Sequence, residues 1–140
     1  MTLIIDWDKA TEQVRNDIPF LKEIIHDLYN EAVSCSDRVL NGINSETFSV
    51  IVKAAHTVKG SASYFYCEDL IAASIKLLEL GREGIIATEG NSEGKKEWMG
   101  SASRDILAIW SDIDDAYRHF GKCVQALGAD IEVHFKHLNV

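Results

Sequence analysis

Within the stretch Ala55-His56-Thr57-Val58-Lys59-Gly60-Ser61-Ala62, three residues have types and spacing suited to chemistry: His56, Lys59 and Gly60. On a helix, positions three and four apart are neighbours, so the three share one side. A neutral imidazole presents a ring nitrogen with a free lone pair, and its reference pKa of about 6.5 leaves much of it neutral near pH 7. Such a nitrogen can attack phosphorus. An ammonium group at i+3 offsets the charge of phosphoryl oxygens. A glycine at i+4 removes the side chain nearest the ring and opens the approach for a phosphoryl group and the protein that brings it. Mid-helix glycine costs about 1 kcal/mol relative to alanine, so something must offset it.

The helix carrying these residues shows an apolar stripe at Phe48, Ile51, Ala55, Val58, Ala62 and Phe65, with Asn44 or Ser45 as its cap. At about 100° per residue, His56 points roughly 140° away from that stripe and therefore outward. Gly60 and Ser63 share its side and Lys59 flanks it. The same geometry names Ser49, Val52, Lys53, Ser63 and Tyr64 as the rim a partner would touch.

Three further helices are needed to hold this one. Asp17-Ile18-Pro19 is a start signal. It precedes the stripe Ile18, Leu21, Ile25, Leu28, Ala32, Cys35 and Val39, which ends near Asn41-Gly42, a cap signal. Another stripe, Leu70, Ala73, Leu77 and Leu80, runs to Gly81 and Gly84. A glycine-rich, charged connection follows up to Gly100, with Trp98 and Met99 expected to fold back onto the other helices. The last stripe, Ile106, Trp110, Ile113, Tyr117, Phe120, Val124 and Leu127, stops at Gly128. Ahead of them all, Asp6 or Asp8 caps a short helix beside Trp7, large enough to be a lid residue. After Gly128, Ile131, Val133 and Phe135 alternate with polar residues in an extended pattern, yet a single strand would have no partner. The expected fold is all-α: an antiparallel four-helix bundle over residues 1–128, with a short N-terminal helix and a C-terminal extension over 129–140.

Bulk properties narrow the function. Lys+Arg 14 against Asp+Glu 22 gives a net charge of -8, which repels nucleic acid and anionic membranes. Cys35, Cys67 and Cys123 lie far apart and read as reduced core thiols, not a zinc or redox site. No apolar run reaches membrane-spanning length and no secretory leader is evident, so a cytoplasmic monomer is expected.

The motif His56-Thr57-Val58-Lys59-Gly60-Ser61-Ala62 resembles the H-x-[LV]-K-G-S-[SA] signature of histidine phosphotransfer (HPt) domains. Asp6-Trp7, Phe20-Leu21, Ala55, Leu70, Leu78-Glu79 and Gly81-Arg82-Glu83-Gly84 also fall where that family places similar residues, so the resemblance spans roughly residues 5–127. It implies a four-helix bundle that carries phosphoryl groups between aspartates of receiver domains, those of hybrid histidine kinases and of response regulators in two-component phosphorelays. It implies His56 as phosphoacceptor, with Lys59 and Gly60 supporting it. The chain itself would need no cofactor and would not be a kinase: Mg²⁺ belongs to the receiver, and no glycine-rich phosphate loop is present. The chain departs from the family pattern at two positions. Tyr66 stands where a small residue, commonly Gly, is usual, and Leu78 stands where a Gln or Glu holds the second imidazole nitrogen.

Other readings have less support. Glu23 and His26 form one Glu-x-x-His unit of a di-metal bundle site, which needs two. His134 and His137 would share a helical face, but the alternation around them disfavours a helix. Trp98, Trp110 and Tyr117 read as packing residues. The main alternative is a bundle of the same fold that binds a receiver, or another signalling protein, without carrying phosphate.

Overall fold

The structure, a computed structural model, describes residues 5–89 and 105–138. It consists of α1 (Trp7–Gln13), α2 (Ile18–Asn44), α3 (Phe48–Tyr64), α4 (Glu68–Glu89) and α5 (Ile106–His137), with no strand among the described residues. α2 packs on α3, α3 on α4, α4 on α5, and α5 back on α2, while α1 lies against α2. None of the helices over the described residues is long and apolar enough to cross a membrane.

Carboxylates set three of the helix starts. Asp6 accepts from the Lys9 amide at 3.1 Å and Asp17 from the Phe20 amide at 3.2 Å, with Pro19 in the first turn. Asp105 accepts from Leu107 at 3.1 Å. α3 is different. Its N-cap is Thr47, which makes no side-chain cap bond, so neither Asn44 nor Ser45 has the expected role. The Ser45 hydroxyl instead donates to the Asn41 carbonyl at 2.7 Å, closing the end of α2.

The stripes read from the sequence are the core. Leu21, Ile25, Ile51, Val58, Leu70, Leu77, Ile113 and Phe120 are fully buried, each large aliphatic contributing about 1.5–3 kcal/mol. Cys35, Cys67 and Cys123 are buried free thiols. Trp110 stacks on Phe48 with ring centroids 4.1 Å apart, and Tyr117 packs against the core.

Several helix ends differ from expectation, for one physical reason. Gly42, Gly81, Gly84 and Gly128 lie inside helices and serve as notches, not stops. A Cβ on Gly42 would stand 2.8 Å from Ile51 Cγ1, one on Gly81 2.7 Å from Val52 Cγ2, and one on Gly128 2.7 Å from Tyr29 Cε1. On Gly84 it would collide with the Phe48 ring. α2 therefore runs on to Asn44, α4 passes both its glycines and takes in residues 85–89 of the expected connection, and α5 continues to His137. The ends of α2 and α3 are followed by non-glycine residues in the left-handed conformation, Glu46 at φ 54° and Tyr66 at φ 57°. Beyond them the Thr47 amide donates to Gly42 O at 2.8 Å and the Cys67 amide to Ala62 O at 3.1 Å, the six-to-one closure that satisfies end carbonyls.

Residues 129–137, whose conformation the sequence left open, are the last turns of α5. Leu127, Ile131 and Phe135 are buried at i, i+4, i+8, whereas Val133 is 67% exposed. Trp98, Met99 and the stretch Gly90 to Lys96 lie outside the described residues.

Candidate functional site

α3 places His56 as the stripe phase requires. Ile51, Ala54, Ala55, Val58 and Ala62 are buried, and His56, Thr57 and Gly60 are exposed. Lys59 is half-buried on the flank and makes no ion pair among the described residues. The helix Phe48–Tyr64 contains two lysines, one histidine and no Asp or Glu, in a chain of net charge -8. Its outer face is therefore a cationic strip on an acidic protein.

Gly60 is the most telling position. A Cβ there would meet nothing within 4 Å, in contrast to the four notch glycines. Among the described residues no packing contact requires this glycine, so nothing there offsets its helix-propensity cost. What it leaves clear is the space beside the imidazole one turn back.

No hydrogen bond to the His56 ring forms among the described residues. Leu78 is buried at 3% exposure, and Lys76 and Glu79 on the same helix point to solvent. The nearby hydroxyls are engaged with their own helix: Thr57 donates to Lys53 O at 3.0 Å and Ser63 to Lys59 O at 2.7 Å. The ring is exposed, and no side chain among the described residues holds either of its nitrogens.

The expected rim divides. Ser49, Lys53 and Ser63 are exposed, and Tyr64 is 46% exposed with its ring edge-on to Phe65 at 4.8 Å. Val52 is half-buried and packs against the core beside Gly81, so it belongs mainly to the α3–α4 contact. Two features escaped the sequence. The motif's Ser61 donates to Glu31 Oε2 of α2 at 2.9 Å, tying the motif turn to its neighbour. Beside it Phe20, Ile24, Leu28, Ser61, Tyr64 and Phe65 line an open groove of about 330 Å³ between α2 and α3. The available signal was Phe20, an aromatic off the α2 stripe and 46% exposed.

The competing residues do other work. Glu23 and His26 are exposed, and no group of three or more His, Cys, Asp or Glu among the described residues is arranged to hold a metal. His134 stacks on Trp7 with ring centroids 3.7 Å apart and its Nε2 is buried without a partner, so Trp7 covers α5 and not the motif. Burial pushes the Cys35 and Cys67 thiols up to about 12, and burial, then Asp69, raises Cys123, so none is a ready nucleophile.

Comparison of the chain with family models, curated proteins and solved structures finds no match.

Proposed function

We propose that the protein is a phosphorelay carrier of the histidine phosphotransfer type, whose α2–α5 form an antiparallel four-helix bundle and whose His56 takes a phosphoryl group from a receiver-domain aspartate. The three-residue connections at 45–47 and 65–67 support the up-down order, since so short a link sets neighbouring helices side by side in opposite directions. The carrying observation is the exposed His56 beside Lys59 and a Gly60 whose absent side chain nothing among the described residues replaces.

In the step itself, a neutral ring nitrogen forms the N–P bond as the acyl phosphate O–P bond breaks. The aspartate leaves as carboxylate, and the imidazolium loses the proton on its other nitrogen to solvent. The reverse step delivers the group to a second receiver. The Lys59 ammonium faces the charge on the phosphoryl oxygens, and the absence of acidic residues from α3 removes repulsion there. Mg²⁺ and the carboxylates that hold it belong to the receiver. Partner contact extends from His56 over Ser49, Lys53, Ser63 and Tyr64 towards the groove at Phe20.

Incubation with a phosphorylated receiver tests the reading. Acid-labile label should move to the native chain and not to His56→Gln, and a panel of receivers would identify the donor and the acceptor. Full labelling of the variant would overturn it. The buried Leu78 favours one other reading, an adaptor that binds a receiver without accepting phosphate. In that case the native chain would take no label while His56→Ala bound the receiver unchanged.

A further inference from the structure

The groove between α2 and α3 is opposite in sign to the motif beside it. Ile24, Leu28 and Phe65 form its apolar floor, flanked by Phe20 from α2 and Tyr64 from α3, each 46% exposed. Its polar lining is Asp27, Glu31 and Ser61, with no lysine, arginine or histidine. Ser61 is already bound to Glu31, at 2.9 Å. Asp27 is exposed and has no hydrogen bond or ion pair among the described residues. Along α2, Glu23, Asp27 and Glu31 succeed one another at i, i+4 and i+8, and none is paired with a cation among the described residues. Like charges at that spacing weaken a helix. α3, by contrast, carries His56, Lys53 and Lys59 and no carboxylate. Tyr64 follows His56 by eight residues, about 12 Å along the helix axis, so a domain-sized partner that reaches His56 also covers the groove.

We infer that this groove selects the partner protein by charge: it takes an apolar ridge flanked by a lysine or arginine, whose cationic group meets Asp27 and Glu31. The inference deepens the phosphorelay reading and rests on it only in making that partner the receiver. Two half-exposed aromatics over an apolar floor form the kind of open, polar-edged patch that protein contacts cover. A carboxylate on the ridge would be repelled by the α2 ladder, whereas a cation gives Asp27 the partner that the described residues do not supply. A simple metal cation would leave Phe20 and Tyr64 uncovered. The two signs side by side also fix orientation. The partner's anionic part, with the phosphoryl group, goes to Lys53 and Lys59, and its cationic part goes to Asp27. A partner turned end for end would set like charges together at both places.

The test is amide-resolved NMR of the full ¹⁵N-labelled chain titrated with two synthetic helical peptides. They share one ridge of leucines and differ in its flanks, lysine in one and glutamate in the other. The lysine peptide should bind saturably at one to one and shift the amides of Ser61, Tyr64 and Phe65. The glutamate peptide should bind at least about tenfold more weakly, because attraction is exchanged for repulsion. Asp27→Lys should cut the lysine peptide's advantage at least about fivefold. Phe20→Ala should weaken both peptides alike, since it removes apolar area and no charge. No saturable shift with either peptide, equal binding of the two, or an advantage untouched by Asp27→Lys would overturn the proposal. So would shifts that track protein concentration without peptide, since the groove would then hold a second copy of the chain. Transfer from phosphorylated receivers separates the proposal from the phosphorelay reading. Where His56 takes label, Asp27→Lys should raise KM at least about fivefold for the receivers the native chain prefers, and an unchanged KM would overturn the proposal alone. If no receiver labels the native chain while the peptides bind as expected, the phosphorelay reading fails and the charge selection of the groove stands.

Discussion

At Gly60 a methyl group would touch nothing within 4 Å, so Gly60→Ala should stabilise the protein by up to about 1 kcal/mol in urea unfolding. If the space serves an incoming phosphoryl group, the same variant should slow label transfer. Gly121 provides the control, because a Cβ there also meets nothing, yet it lies on α5. Gly121→Ala should bring a similar gain with transfer unchanged. A second expectation at this scale concerns His134. Burial lowers its pKa from the ordinary 6.5, with Asp130 opposing and His137 adding to the shift. The folded ring therefore takes up its proton at lower pH than the unfolded one. Its contribution to stability is fully present above about 6.5 and is lost as pH falls through the folded value. Unfolding free energies measured from pH 7.5 to pH 5 should fall less steeply in His134→Gln, which cannot titrate. An identical slope would show that other groups set it.

Helix phase was legible in the sequence, and helix ends were not. The stripe from Leu21 to Val39 and the outward direction of His56 follow from period alone, because burial of one face fixes the phase. Gly42, Gly81, Gly84 and Gly128 misled because a glycine beside a helix cap and a glycine under a neighbour's side chain look alike until the neighbour is known. Alternation after Gly128 left the conformation open because Ile131 and Phe135 fit periods of two and of four equally well, and the exposed Val133 separates them. The Ser61–Glu31 bond joins residues thirty apart on different helices, so no local pattern could reveal it. The real ends yield an element-scale test. Glu46 holds φ 54° and its side chain has no partner among the described residues, so Glu46→Gly should relieve left-handed strain and stabilise by about 1 kcal/mol. Tyr66→Gly should gain less, because it also gives up the Lys9 ammonium 5.2 Å from the ring centroid, an exposed cation–π contact of about 0.5 kcal/mol. Thermal melts of the two variants, compared with Gly60→Ala, would rank the three effects.

At the scale of the whole molecule, the start of α1 is tied to the last turns of α5. The Trp7 indole donates to Asp130 at 3.2 Å, the Ile5 amide reaches the same carboxylate at 3.4 Å, and Trp7 stacks on His134 and meets Phe135 edge-on. These contacts fasten α1 to the last turns of α5. Truncation at Trp7→Ala removes the hydrogen bond, both ring contacts and a half-buried indole together. A loss of about 2–3 kcal/mol is expected, below the range for a fully buried Trp because this one is partly exposed. His56 lies on α3, which packs mainly against α2 and α4, and Lys9 of α1 reaches the Tyr66 ring just beyond the end of α3. The Trp7→Ala variant should therefore melt earlier and yet pass label at the native rate at temperatures where it remains folded. A transfer defect at full helicity would show that α1 and the end of α5 take part in docking the receiver, and would place the partner's footprint across the α1 side of the molecule as well as on α3.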